Sequence, residues 1–172
     1  MNYQKGLTLF ELMIAVSIIA ILVTVGVPSF LNIKKSIQLK GAIESSYFAF
    51  QHARSVAVSS GREVTLSIIP GESWCIGMSA TGDCDCSLLN SCTINGREQL
   101  VKYRDFGQIK MPDSNFGVNS TARFDGVRGL SVGSAGSAVF SDGSNQAKLI
   151  LSNMGRIRIC VTEGHLGSYS PC

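Results

Sequence analysis

Residues 5–33 read KGLTLFELMIAVSIIAILVTVGVPSFLNI, and this stretch decides how the rest of the chain is organised. The 22 residues from Leu12 to Ile33 carry no charge. As a helix, with about 1.5 Å of rise per residue, they would be roughly 33 Å long, enough to cross the apolar core of a bilayer. The sequence therefore predicts a membrane-spanning helix at the N-terminus.

A cleaved secretory signal peptide and a plain membrane anchor are the alternative interpretations of this stretch. The apolar run is too long for a signal peptide, and no small-residue cleavage site follows it. A plain anchor leaves Glu11 unexplained, because a carboxylate at the edge of an uncharged helix is costly in lipid. Glu11 is therefore a candidate functional residue.

Composition limits the classes of function that the chain can have. Of its 172 residues, 45% are apolar and only 16% are charged, which excludes a disordered chain. The two histidines, His52 and His165, lie far apart, and the sequence has no nucleotide-binding, zinc-protease or hydrolase motif. We therefore expect no catalytic residues, no metal and no cofactor. The net charge of +3 does not by itself indicate nucleic-acid binding.

The string KGLTLFEL at residues 5–12 resembles the processing signal of the type IV pilin superfamily. The resemblance implies that residues 1–6 are a leader, that prepilin peptidase cuts between Gly6 and Leu7, and that Leu7 is then methylated. Phe is usual in the family where this chain has Leu7. The resemblance also implies that Glu11 pairs with the terminal amine of a neighbouring subunit, which would offset the desolvation of its carboxylate. Pro28 stands where the family has a proline, and the resemblance implies that Pro28, like Glu11, acts in filament assembly.

Helical spacing of apolar residues continues beyond the uncharged run. The positions predicted to form one apolar face are Ile33, Ile37, Ile43, Tyr47, Phe50 and Ala57. We predict one helix from about Leu7 to Ser59, kinked at Pro28 and capped by Gly61. Its apolar part, residues 7–33, would lie in the membrane or the filament core. Its amphipathic part, residues 34–60, would pack on a domain.

Residues 61–172 switch to short β-type runs separated by Gly, Asn, Asp and Ser. The predicted strands are 63–69, 74–78, 99–104, 108–111, 122–124, 137–140, 147–151 and 156–161. One long helix followed only by strands predicts an α+β fold, with an antiparallel sheet packed against the helix.

Six cysteines form an even set in a domain that would fold outside the reducing cytoplasm, so we expect disulfides. Their separation favours a local group, namely Cys75, Cys84, Cys86 and Cys92, and a terminal pair, Cys160 and Cys172. The pairing within the local group stays open. A zinc site at Cys84, Cys86 and Cys92 is the alternative, but their spacing is not that of a CxxC site.

Residues 148–161, KLILSNMGRIRICV, predict a β-hairpin with its turn at SNMG. Alternation places Arg156, Arg158 and Cys160 on one face of the second strand. A Cys160–Cys172 bridge would then lay the tail, residues 162–171, beside both guanidinium groups. The alternative is a solvated edge strand whose charges prevent aggregation.

Positive charge is concentrated in the C-terminal half of the chain. Residues 97–160 contain nine basic and five acidic residues, whereas residues 61–96 have a net charge of −3. The C-terminal half is therefore where phosphates could be bound.

Two further strings narrow the resemblance. ARSVAVSSGREVTL, at residues 53–66, resembles the GspH/FimT branch of minor pilins and pseudopilins. GRIR, at residues 155–158, matches the GRxR element of FimT-type minor pilins, which bind DNA during natural transformation. The resemblance implies that Arg156 and Arg158 contact phosphates within the Gly155 motif, with Lys148 and the tail around His165 as weaker additions.

Together these observations predict a type IV pilin fold and a non-catalytic minor pilin that acts in pilus assembly and DNA uptake. The expected partners are prepilin peptidase, other major and minor pilins, and double-stranded DNA. The chain would cross the inner membrane once, with its domain in the periplasm, and would then enter a filament at the cell surface. A GspH-like pseudopilin of type II secretion is the alternative within the family. An anchored periplasmic enzyme is the alternative from another class.

Overall fold

The structure, a computed structural model, describes residues 8–172, with the backbone alone for residues 25–29. The leader and the cleavage site at Gly6 and Leu7 lie outside the described residues. The chain divides into two compact units, of which the first ends at Lys34 and the second is Lys35–Cys172.

Helix α1 is Leu9–Ser60, which agrees with the predicted long helix to within two residues. At its start, the Thr8 Oγ1 atom accepts the Glu11 N–H at 3.3 Å, as the Thr-x-x-Glu spacing of a capping box predicts. At its end, Gly61 has a φ of +65°, and the Arg62 N–H donates to the Ala57 carbonyl at 3.3 Å. This 6→1 bond is that of a Schellman cap, so the predicted C-cap is confirmed. The helix continues through Pro28 without a break.

The side chains of residues 9–24 and 30–35 on α1 are all exposed. Within the part of the chain that the structure describes, no helix combines the length and the apolarity needed to span a membrane.

In the second unit, α1 buries one face against the sheets. Its buried apolar residues are Leu39, Ala42, Ile43, Phe50, Ala53 and Ala57. The predicted face was wrong at Ile33 and Ile37, which are 56% and 65% exposed. At about 100° per residue, Ile37 lies about 120° around the helix from Ile43, whereas Leu39 lies only about 40° from it.

Ten strands follow α1 in the described residues. They are β1 (Val64–Ile69), β2 (Cys75–Ser79), β3 (Thr93–Ile94), β4 (Arg97–Glu98), β5 (Leu100–Lys102), β6 (Lys110–Ser114), β7 (Thr121–Phe124), β8 (Gly136–Ser141), β9 (Gln146–Leu151) and β10 (Ile157–Glu163). They form antiparallel sheets in the orders β5-β2-β1-β7 and β10-β9-β8-β6, and β3 and β4 form a separate hairpin. The predicted α+β fold is confirmed. The β3–β4 hairpin was missed because two-residue strands leave no alternating pattern.

The two four-stranded sheets share one core with α1. Trp74, which is fully buried just before β2, donates from Nε1 to the Ile109 carbonyl at 2.8 Å. Its ring packs edge-on against Phe140 of β8, with 5.2 Å between centroids. Phe50 of α1 packs against Phe116 at 5.3 Å. These contacts hold both sheets and the helix as one body within the second unit.

Three disulfides use all six cysteines. They join Cys75 to Cys86, Cys84 to Cys92 and Cys160 to Cys172. The terminal pair is the one predicted, and the local four interlock in a pairing that their spacing left open. The three sulfurs that the zinc site would need are all in disulfides.

Candidate nucleic-acid interface

The predicted basic hairpin is formed by β9 and β10. Leu151 pairs with Ile157, and Lys148 pairs with Cys160. In the turn, the Gly155 N–H donates to the Ser152 carbonyl at 2.9 Å, and Gly155 has a φ of +71° that favours glycine. The turn therefore places Arg156 immediately before β10.

The two faces of β10 separate as alternation predicts. Arg156 and Arg158 are exposed, while Ile157 is buried on the opposite face. Neither arginine forms a salt bridge or a side-chain hydrogen bond with another described residue. Cys160 shares the arginine face but is buried. The arrangement leaves two guanidinium groups free for an external anion.

Lys148 lies on the same face, directly across from Cys160 and diagonal to Arg158. Diagonal neighbours in a sheet are about 7–8 Å apart, so one run of phosphates could meet both cations. Lys148 is half-buried, which limits its reach. Beyond it, Asp113 of β6 faces Val139 of β8 and places an acidic residue further along this face.

The C-terminal tail runs alongside β10 at Val161. The Val161 N–H donates to the Ser170 carbonyl, and the Cys172 N–H donates to the Val161 carbonyl, both at 3.0 Å. The Tyr169 hydroxyl donates to Glu44 Oε1 of α1 at 2.5 Å. Burial first, and then this hydrogen bond, raise the pKa of Tyr169 to about 12. The tail is therefore held at two points besides its disulfide.

The tail does not lie beside both arginines, so that prediction is corrected. Tyr169 and Arg158 line one groove of about 350 Å³ between β10 and α1. Val161, where the tail pairs, is five residues from Arg156, which is about 17 Å along a strand. The His165 backbone N–H donates to Asn145 Oδ1 at 3.1 Å. This contact lies at the end of β9 that is opposite to the basic turn.

Gly155 is buried and its N–H is already bonded, so it is not a phosphate contact. A Cβ atom added to Gly155 would lie 2.1 Å from the Gly129 carbonyl oxygen. The turn is tied to the same loop by the Ser131 N–H, which donates to the Asn153 carbonyl at 2.9 Å. Gly155 therefore positions the arginines by allowing a close approach of two backbones.

The loop that receives Gly155 is organised by Asp125. Its carboxylate accepts the backbone N–H groups of Val127, Arg128 and Leu130 at 2.6–2.9 Å. The hydrogen bond from the Arg128 N–H does most to hold the pKa of Asp125 below its usual value. Burial acts in the opposite direction, and the hydrogen bonds from Val127 and Leu130 lower the pKa further. Sequence reasoning counted Arg128 only as charge, although the DGVRG string at 125–129 is a turn signal that marks this loop.

Three other cations of the C-terminal half already have a partner within the domain. Lys110 bonds to Glu72, and Arg123 bonds to Asp83 at 3.2 Å. The Arg104 guanidinium lies 5.8 Å from the ring centre of Tyr103. The regional charge excess therefore overstates the cations available to a ligand.

Of the predicted assembly residues, Glu11 is exposed in the first turn of α1, and its N–H is capped by Thr8. Pro28 lies within α1, and its side chain is outside the described part.

A long N-terminal helix, a domain of antiparallel sheets and a C-terminal disulfide define a subunit of the type IV pilin class. A family model described as "Type II transport protein GspH" matches residues 42–155, and one described as "Prokaryotic N-terminal methylation motif" matches residues 1–27. The chain therefore belongs to the GspH family, whose members are minor pilins or pseudopilins of type IV pili or type II secretion.

The chain is also similar to two curated proteins from Pseudomonas aeruginosa, each named "Fimbrial protein". Each is 37% identical over 70 residues, which are 41% of this chain and 45% of the relative. The chain thus spans less than half of the length of these relatives. No solved structure matches it.

Proposed function

We propose that this subunit is a non-catalytic minor pilin of a type IV pilus that binds double-stranded DNA through phosphate contacts. The observation that carries the proposal is the pair Arg156 and Arg158, exposed on one face of a rigid hairpin and unpaired among the described residues. Arginine suits this role because its planar fork can bind two phosphate oxygens at once. Lys148 adds a weaker contact on the same face.

Binding of this kind is independent of sequence. Arg156 and Arg158 lie at the start of an edge strand, and contacts from guanidinium groups to phosphates carry no information about the base sequence. Two or three phosphate contacts give weak binding per subunit, and several subunits along one filament would add avidity. This fits the capture of any DNA for uptake during natural transformation.

The assembly part of the proposal concerns the N-terminus. Prepilin peptidase cuts between Gly6 and Leu7, Leu7 is methylated, and residues 7–33 hold the subunit in the inner membrane before it joins other pilins. Glu11 then pairs with the terminal amine of a neighbouring subunit. The match to the N-terminal methylation motif over residues 1–27 supports this order of events.

A pseudopilin of type II secretion is the second candidate. The description of the matching family model favours it, because that description names type II transport. Such a subunit shares the helix and the domain but has no need of free arginines at the β9–β10 turn.

Salt titration of DNA binding separates the two candidates. The full chain in a non-ionic detergent would be mixed with unrelated blunt duplexes, beside Arg156→Ala/Arg158→Ala. Arg97→Ala/Arg104→Ala is the matched control, since it removes two exposed arginines elsewhere in the domain. We expect the plot of log K against log salt to flatten by about 0.9 for each lost contact in the first variant only. Absence of binding at low salt would favour the pseudopilin.

A further inference from the structure

Three segments that are distant in sequence meet behind the basic turn. The Arg54 Nε atom of α1 donates to the Gly129 carbonyl at 3.1 Å. Gly155 packs on the same carbonyl, and the ideal Cβ position at Gly155 is 3.3 Å from Arg54 Nε. We call this contact of Arg54, Gly129 and Gly155 the carbonyl junction.

Arg54 uses only part of its guanidinium at the carbonyl junction. Its Nε atom is bonded, while the two terminal nitrogens have no hydrogen-bond partner among the residues that the structure describes. Arg54 is half-buried, and Ser114 Oγ is the one side-chain polar atom in the described part that is both buried and unpaired. The terminal nitrogens of Arg54 therefore reach solvent with their donors free.

Two more arginines flank the carbonyl junction. Arg128 immediately precedes Gly129, and Arg156 immediately follows Gly155. Both are exposed and form no salt bridge with a described residue. The nearby carboxylate of Asp125 accepts three backbone N–H groups and forms no salt bridge with a described residue, although its attraction to the charge of Arg128 helps to lower its pKa.

We infer that the carbonyl junction is a phosphate seat, in which Arg54, Arg128 and Arg156 bind one phosphodiester group of the DNA backbone. This rests on the proposed function and adds two residues to it, one from α1 and one from the loop after β7. Guanidinium forks from three sides can satisfy more of the oxygens of a phosphate than one fork can. Backbone contacts hold in place the three positions from which these side chains extend, and this lowers the entropy lost on binding.

Arg128→Gln is the first test because the Arg128 side chain makes no hydrogen bond within the described structure, so the fold should be kept. The full chain in non-ionic detergent would be titrated with a blunt duplex between 50 and 200 mM salt. Loss of one of the three arginines should weaken binding and flatten the salt slope by up to about one, so that over this range the affinity of the parent falls up to about threefold more than that of the variant. Arg97→Gln is the matched control and should behave like the parent.

Arg54→Gln, Arg156→Gln and the double variant Arg128→Gln/Arg156→Gln show whether one phosphate is shared. Arginines that hold one phosphate should couple, so the double variant should lose less affinity than the product of the two single losses. If the loss of affinity in the double variant equals the product of the two single losses, the three arginines do not share one phosphate. Unchanged binding by Arg128→Gln and Arg54→Gln, with a loss for Arg156→Ala/Arg158→Ala, would refute the seat and leave the proposed function intact. Absence of binding by the parent would refute the proposed function and the seat with it.

Discussion

Arg54 of the long helix donates a hydrogen bond from Nε to the carbonyl oxygen of Gly129, over 3.1 Å. Gly155 lies close against the same carbonyl, so the helix, the loop after β7 and the basic turn meet at one oxygen atom. The ARS string of the helix and the GRIR string of the hairpin are therefore two halves of one structural unit.

Replacement of Gly155 by Ala should destabilise the domain and displace Arg156. The new Cβ would lie 2.1 Å from the Gly129 oxygen, in addition to the strain of a side chain at a φ of +71°. We expect a loss of about 1–2 kcal/mol from the backbone conformation and about 1–3 kcal/mol more from the overlap. Denaturant unfolding measures the sum.

Gly133→Ala is the control for that experiment. Gly133 has a similar φ of +77°, but nothing lies within 4 Å of its Cβ position. It should show the conformational loss alone. Equal losses for the two variants would mean that the close approach to Gly129 is unimportant.

Cys160→Ser/Cys172→Ser should release the C-terminal tail. The disulfide spans a sequence separation of 12, and closure of such a loop stabilises by roughly 3 kcal/mol in the chain-entropy model. Limited proteolysis should then cut within residues 162–171, which the parent should resist, and DNA binding should weaken because the tail no longer supports the strand that carries Arg158. An unchanged cleavage pattern would show that the Val161 and Tyr169 bonds hold the tail unaided.

The Tyr169–Glu44 contact should fail at high pH. The phenol pKa rises from 10.0 to about 12 on folding, so the folded state favours the protonated form. The contribution is therefore complete below about pH 10 and is lost as the pH rises towards 12. The difference in unfolding free energy between the parent and Tyr169→Phe should shrink across that window. A difference that stays constant would mean that this hydroxyl does not stabilise the tail.

Substitution of Glu11 should block filament incorporation and spare membrane insertion. Glu11→Ala removes both the charge and the capping-box residue, whereas Glu11→Gln removes the charge but keeps a residue suited to that position. If pairing with a neighbouring amine is the role of Glu11, both variants should fail to assemble. Normal assembly of Glu11→Gln, scored as subunit in sheared filaments against subunit in membranes, would show that only the cap matters.

Local patterns predicted much of the fold and part of the candidate site. The long helix, its glycine cap, eight of the ten strands and the basic hairpin follow from periodicity and turn residues, which act over a few neighbouring positions. The apolar face was misplaced at Ile37 because isoleucine at roughly helical spacing does not reveal which side the sheets will cover. The tail was expected beside Arg156 because a disulfide fixes two points and not the path between them.

The sequence alone determined the class of subunit and the alternation that exposes Arg156 and Arg158, because both are properties of contiguous residues. Only the tertiary structure decided that Arg54 and Gly155 meet at the Gly129 carbonyl, that Cys75 pairs with Cys86, and that Lys110 and Arg123 are neutralised by Glu72 and Asp83. Such contacts join segments far apart along the chain. They depend on how the sheets and the helix pack, which no local pattern encodes.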